Sequence, residues 1–196
     1  MKNINSVKYP IIVAITGASG MLYAFWLIEI LDAKAIPLNL IITLTARKII
    51  TNELSKKDAD FIFTGAKAER HDPLKFESEL ASGSNKSRGM VIVPASMGTI
   101  GRIACGVSDN LVVRAADVHL KERRKLIIVP RETPLNRIHL ENLLKLNDAG
   151  AVILPAMPSF YSRPKTLVEL ADTIVARILD HLDIEHNLDV GYHPDK

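Results

Sequence analysis

The sequence predicts an α/β fold in which helices wind on both sides of a parallel sheet, giving three layers. Three observations carry that prediction. Short runs rich in Val and Ile alternate with longer segments of helical period, the pattern of strands buried on both faces and joined by crossover helices. Three of the runs end alike, as Val91-Ile92-Val93-Pro94, Ile127-Ile128-Val129-Pro130 and Val152-Ile153-Leu154-Pro155. A proline has no N–H for a sheet ladder, so each run should stop there and release the chain into a loop. The first run, from Ile11 to Thr16, leads directly into Gly17-Ala18-Ser19-Gly20, a tight turn ahead of a helix.

Taken in order, the expected strands are residues 10–16, 38–44, 60–64, 89–94, 125–130 and 149–155. Helices are expected over 21–34, 45–56, about 98–105, 109–123, 135–147 and 166–183. In the last, Leu167, Leu170, Ile174, Ile178 and Leu182 follow a three- and four-residue rhythm, with Asp172, Arg177 and Asp180 off the stripe. Residues 65–88 break the pattern with Gly, Ser, Lys, Glu and a lone proline, and read as an irregular, partly mobile insertion. The tail after Ile184 is polar and reads as loose. There is no fixed repeat, low-complexity tract or interdomain linker, so residues 1–196 read as one domain with a core over about 10–184.

Composition narrows the classes. The chain has 196 residues, 47% hydrophobic, 24% charged and 5% aromatic, with one cysteine. That length suits a single domain with a sizeable core. One cysteine excludes a disulfide-stapled domain and a Cys-rich zinc cluster and fits a reducing cytoplasm. The apolar runs fall well short of the roughly 20 residues that span a bilayer, so no membrane helix is expected. The start, with Lys2 and Lys8, reads as the approach to a first strand and not as a signal peptide. The net charge of +3 suits a phosphate-bearing ligand without demanding nucleic acid.

If the strands are parallel, the loops at 95–99, 131–134 and 156–161 and the glycine turn at 17–20 leave from one edge of the sheet, where open α/β folds hold their ligands. The free N–H groups after Gly17 and Gly20 can take a phosphate or a flavin edge. The turn lacks full G-x-G-x-x-G spacing, which favours a mononucleotide over NAD, and it also suits a plain strand-to-helix connection. Ala95-Ser96-Met97-Gly98-Thr99 adds two hydroxyls and a glycine at a second strand end. Arg114 and Lys121, seven apart on a helix, share one face that could line a phosphate pocket. Arg123, Arg124 and Lys125 read as a solvated helix end whose cations meet the dipole. Arg131 and Glu132 stand directly after Pro130, as site residues or as a surface ion pair. Glu53 and Tyr161 are unremarkable in isolation. The six histidines have no metal-ligand spacing, His139 packs or caps, and Cys105 reads as a small buried residue.

Gly-Ala-Ser-Gly at 17–20 with Tyr23, Ala-Ser-Gly-Ser at 81–84, Pro-Ala-Ser-Met-Gly-Thr at 94–99, Arg-Ala-Ala-Asp-Val at 114–118, Leu-Lys-Glu-Arg-Arg at 120–124 and Val-Pro-Arg-Glu-Thr-Pro at 129–134 resemble the UbiX-type flavin prenyltransferases. Asp-Asn-Leu at 109–111, Ile-His-Leu-Glu-Asn-Leu-Leu-Lys-Leu at 138–146 and Gly-Ala-Val-Ile-Leu-Pro-Ala at 150–156 extend the match in register from about residue 10 to 184. The resemblance implies a flavodoxin-like or Rossmann-like fold and a homododecamer with sites where subunits meet. It also implies transfer of a dimethylallyl group from dimethylallyl phosphate to N5 and C6 of reduced FMN, with the prenylated FMN passed to a UbiD-type decarboxylase. It puts FMN on Gly17, Ala18, Ser19, Thr43, Ser96, Met97, Gly98, Thr99 and Arg131. It puts the prenyl phosphate on Arg114, Lys121, Arg131, Glu132, Tyr161 and Arg177, with the 81–84 segment closing nearby.

In the same resemblance Ser19 and Glu53 move protons during ring closure, Glu132 handles a proton at the departing phosphate, and Lys121 joins them as a catalytic residue. The usual prenyl transfer from a diphosphate relies on Mg²⁺ held by Asp-rich motifs. No Asp-Asp pair occurs here, so the Arg and Lys set is expected to replace the metal. Trp26 and Ala24 stand where many members have Arg and Gly, and Asn85 replaces a frequent Phe. Two other readings share features with this one: an FMN-dependent decarboxylase of the cysteine-decarboxylase group, and a non-catalytic flavin carrier. The first group typically continues the Pro-Ala-Ser loop as Ala-Asn-Thr, where this chain has Met-Gly-Thr, and uses an early helical His, whereas no His precedes His71.

Overall fold

A computed structural model of the protein describes residues 9–188. The chain order is β1 (Ile11–Ile15), α1 (Met21–Ala33), β2 (Leu38–Ile42), α2 (Leu44–Glu53), α3 (Lys56–Asp60), β3 (Ala68–His71), β4 (Gly89–Ala95), α4 (Met97–Ala104), α5 (Leu111–Lys121), β5 (Leu126–Pro130), α6 (Arg137–Asp148), β6 (Val152–Ile153) and α7 (Leu167–His181). The six strands form one sheet in the order β3-β2-β1-β4-β5-β6, with every pairing parallel. This is the order in which a Rossmann-type sheet is wound.

Alternate residues of the central strands feed two cores. Ile11, Val13 and Ile15 pack with Leu27 and Ile28 of α1 and Ile174 and Ile178 of α7. Ile12 and Ala14 face the other side, against Ile100 of α4 and Val112 and Val113 of α5. All five β1 residues are buried, so the run reads as continuous apolar sequence without alternation. Each fully buried Ile or Leu contributes about 1.5–3 kcal/mol, which makes these two layers the main source of stability. Trp26 Nε1 donates to Asp172 Oδ1 at 2.6 Å and ties α1 to α7, satisfying the indole N–H at a half-buried position.

The structure corrects several expectations. Residues 60–64 are not a strand. Ser55 caps a helix by accepting from the Asp58 N–H, and the apolar Phe61–Gly65 stretch continues it as a π-helical turn. A five-residue apolar run fits either state, and here the upstream cap decides. The third strand is instead Ala68–His71, a polar edge strand inside the segment expected to be irregular. β4 runs through Pro94 to Ala95 with a register shift against β5 between Ile92 and Ala95. Leu167 of the α7 stripe is 74% exposed.

Cys105 is exposed at the end of α4. His139 does cap: its Nδ1 accepts the Asn136 N–H at 3.5 Å while Asn136 Oδ1 accepts the His139 N–H at 2.9 Å, a capping box at the start of α6. After α7, Leu188 packs on the core and His186 Nε2 lies 3.1 Å from Asp180 Oδ1, so residues 185–188 are anchored. The expectations for the remaining tail and for the stretch carrying Lys2 and Lys8 lie outside the described residues. Among the described residues no helix is long and apolar enough to cross a membrane.

Candidate active site

The winding direction of the sheet reverses between β1 and β4, and the crevice outside their C-terminal ends is where such sheets hold ligands. Buried Thr16 builds its floor. Its Oγ1 donates to the Pro94 carbonyl at 2.9 Å and accepts the Ser96 N–H at 2.8 Å, locking the glycine turn to the Ser96 loop. Sequence reasoning missed Thr16. Its signal was a hydroxyl closing an apolar run directly before Gly17.

Part of the glycine turn is already occupied. Gly20 has φ 105° and provides no side-chain cap for α1. Glu53 supplies one from α2, its Oε2 accepting the N–H groups of Gly20 and Met21, each at 2.9 Å. The Gly20 and Met21 N–H groups at the start of α1 therefore already hold a carboxylate where a phosphate or a flavin edge was expected, as the dipole favours. Gly17 does not need a left-handed backbone; a Cβ there would lie 2.7 Å from Thr45 Cγ2.

Partial burial pushes the Glu53 pKa up, but the Met21 N–H, the Ser19 hydroxyl, the Gly20 N–H and the Arg131 charge outweigh it. The carboxyl ends below its ordinary value. Arg131 also faces Tyr23, whose pKa burial raises against the pull of that charge. Ser19, Glu53, Tyr23 and Arg131 thus form one cluster at the crevice.

Ser96 caps α4 by accepting the Thr99 N–H, and its Oγ lies 3.0 Å from Thr99 Oγ1. Met97 is 8% exposed with its side chain in the core, so it offers the crevice only its backbone. The first N–H groups of a helix have no partners within it, which leaves those of Met97 and Gly98 for a ligand. Thr43 caps α2 by accepting the Ala46 N–H at 3.2 Å and keeps its hydroxyl hydrogen to donate. Neutral donors, hydroxyls and one guanidinium, with the helix end of α1 already occupied, fit the polar edge of a flavin and a single phosphate. Arg131 and Glu132 are both exposed after β5 and do not pair with each other. Glu132 Oε1 accepts the Thr133 N–H at 3.0 Å.

The other cations lie elsewhere in the chain. α5 runs from the strand ends back to the strand starts, where the Lys125 carbonyl meets the Met90 N–H. Arg114 Nη1 pairs with Asp117 Oδ2 at 2.7 Å, and Lys121 pairs with Glu122 near Gly83. Arg177 lies late in α7, 3.3 Å from Asp180 Oδ2, and the helix ends with Leu182 against Gly89 at the start of β4. Tyr161 is 70% exposed in the loop after β6. One chain therefore assembles the crevice residues but does not bring Lys121 and Arg177 to them. Of the expected solvated end at 123–125, Arg123 is exposed, but Arg124 donates to the carbonyls of Gly83 and Asn85, and Lys125 pairs with Asp183 at 2.8 Å. Among the described residues no group of three or more His, Cys, Asp or Glu is placed to hold a metal ion.

A Flavoprotein family model matches residues 2–186, which makes the crevice that of an α/β flavoprotein. The flavin prenyltransferase UbiX of Methanocaldococcus jannaschii is 50% identical over 179 residues, 91% of this chain and 95% of the relative. That of Halalkalibacterium halodurans is 47% identical over 184 residues, 90% and 89% of the two chains. The crystal structure of AnUbiX in complex with FMN and dimethylallyl pyrophosphate superposes with a TM-score of 0.84 at 36% identity, covering 90% of this chain and 93% of that one. A dodecameric FMN-dependent UbiX-like decarboxylase from Escherichia coli O157:H7 has the same TM-score at 39% identity, covering 90% and 96%. The chain belongs to the UbiX family of flavin prenyltransferases: it is an enzyme, and its flavin is FMN. The cysteine decarboxylase TvaF, at 17% identity and a TM-score of 0.62, shares the fold alone.

Proposed function

We propose that this protein transfers the dimethylallyl group of dimethylallyl phosphate to N5 and C6 of reduced FMN without a metal, and that a UbiD-type decarboxylase takes the product. The observation that carries the reading is the Ser19, Glu53 and Arg131 cluster beside a crevice of neutral donors. Gly17, Ala18, Ser19, Thr43, the 96–99 loop and Arg131 hold the flavin. Reduced FMN supplies an electron-rich N5 and C6. Breaking the allylic C–O bond sends the bonding pair to phosphate and leaves positive charge on the allyl group, so cations at the phosphate oxygens favour the step. Arg114, Lys121, Arg131 and Arg177 serve there, with Tyr161 as a hydroxyl partner and Glu132 handling the phosphate proton. Ring closure needs a proton delivered and one removed beside the flavin, and Ser19 bonded to an ionised Glu53 can relay both.

Since one chain leaves Arg177 and Lys121 away from the crevice, the phosphate site is read as shared between subunits of a dodecamer. Ile138, Leu140 and Leu144 of α6 are 66%, 54% and 61% exposed, the kind of apolar surface that a partner covers. The protein is read as one cytoplasmic domain across the chain. The test is anaerobic incubation with reduced FMN and dimethylallyl phosphate under a chelator, then mass analysis of the extracted flavin. A flavin heavier by one isoprene unit is expected. Unchanged FMN from assembled protein would support the carrier reading instead.

A further inference from the structure

The segment before β4 lies along α5, with a turn over residues 82–85 in which the Asn85 N–H donates to the Ser82 carbonyl at 3.3 Å. Arg114 Nε donates to the Ala81 carbonyl at 3.1 Å, and Arg124 donates to the carbonyls of Gly83 and Asn85. Ser87 Oγ lies 2.7 Å from His119 Nε2. The carbonyls of residues 81, 83 and 85 and the Ser87 side chain thus tie the strap to the helix. Ser82, Ser84 and Lys86 are exposed on the outer side, with the two serine hydroxyls 2.8 Å apart.

His119 is 1% exposed and plays no part in the chemistry above. Its Nδ1 lies 2.7 Å from the Ala115 carbonyl, which can only accept. Nδ1 therefore carries the proton, and Nε2 is left as the acceptor for the Ser87 hydroxyl. The strap also shares space with Lys121: a Cβ on Gly83 would lie 2.8 Å from Lys121 Nζ. The strap therefore borders the Lys121 ammonium group.

We propose that His119 is a positioning residue which, by accepting the Ser87 hydroxyl, holds the 81–87 strap in register on α5 and so places Lys121, Ser82 and Ser84 for the prenyl phosphate. This rests on the prenyl-transfer reading and adds a residue that acts only through its neighbours. The test uses the assembled protein with Ser87→Ala, Ser87→Thr, His119→Leu and the Ser87→Ala/His119→Leu double variant. Two quantities are read: amide hydrogen exchange over residues 82–86 without substrate, and KM and kcat with dimethylallyl phosphate varied at saturating FMN.

Ser87→Ala and His119→Leu are each expected to speed exchange and raise KM about tenfold, the equivalent of ~1.4 kcal/mol, with FMN affinity unchanged. The double variant should be no worse than either single one, and Ser87→Thr should restore both quantities. If His119→Leu does not fold, Ser87→Ala, a half-buried strap residue, carries the test alone. Unchanged exchange would overturn the anchoring, and faster exchange with KM within about twofold of wild type would overturn its link to phosphate. A wild-type protein that neither binds nor converts dimethylallyl phosphate would instead sink the prenyl-transfer reading, with the exchange rates still deciding whether His119 holds the strap.

Discussion

The crevice at the ends of β1 and β4 and the cationic side of α5 are built on opposite principles. At the crevice, side chains from four distant segments satisfy one another within one chain: Thr16 bonds the Ser96 loop, and Glu53 caps α1 beside Arg131. On α5 and α7, Arg114, Lys121 and Arg177 instead pair with carboxylates one to three residues away. Exposed pairs of this kind contribute little to stability, so the cations can exchange partners for a phosphate at small cost. On the proposed function, preorganisation is concentrated where the flavin would sit, and exchangeable charge where the substrate phosphate would arrive and leave.

The sharpest way to break this comparison is to remove Glu132, the proposed proton handler, without touching the flavin. Glu132→Gln should keep FMN while kcat falls about 100-fold or more, the usual scale for a lost acid or base; a wild-type rate would remove Glu132 from the mechanism. Next come the dispersed cations. Arg177→Ala and Arg131→Ala should each lower kcat/KM by about 10- to 100-fold, as expected for a charge-assisted hydrogen bond. Mixed assemblies of the two variants should recover part of the activity, because some shared sites then combine both intact residues. No recovery would place each site within one chain.

A smaller effect is expected at the crevice floor. Thr16→Val leaves the Ser96 N–H without its partner and should cost about 1–3 kcal/mol, or a few degrees in Tm at about 2–4 °C per kcal/mol, with weaker FMN retention seen in flavin absorbance after gel filtration. The smallest effect is acid sensitivity at His119. Burial lowers its pKa, the Ala115 carbonyl opposes this and the Arg124 charge adds to it, so the net direction is down. The unfolded chain then takes up the proton first. Stability from the neutral ring is full above about pH 6.5 and is lost as pH falls below that toward the folded value. Tm measured from about pH 7.5 to 5.5 should fall less in His119→Gln than in wild type.

The site was unevenly legible in the sequence. The Gly17 turn and the 96–99 loop could be read because strand ends and glycines are local signals. The third strand could not, since Ala68–His71 is a polar edge strand and the nearby apolar run followed its Ser55 cap into helix. Glu53 looked like an ordinary solvated residue because its partners, Gly20 and Met21, lie more than thirty positions away. Thr16 and Trp26 were hidden in the same way: Thr16 bonds Pro94 and Ser96, and Trp26 bonds Asp172, 146 positions along the chain.

The sequence by itself determined the layered α/β plan, the edge of the sheet that carries the crevice and the family's motif residues. These follow from apolar period, proline and glycine, which act over a few neighbouring residues. Only the tertiary structure decided what those residues do to one another. It gave the Gly20 and Met21 N–H groups, expected to meet a phosphate or a flavin edge, to the Glu53 carboxylate, made Arg124 the anchor of a strap, and separated Lys121 and Arg177 from the crevice. Such partnerships depend on strand order and helix direction, which bring distant positions within about 3 Å, the reach of a hydrogen bond.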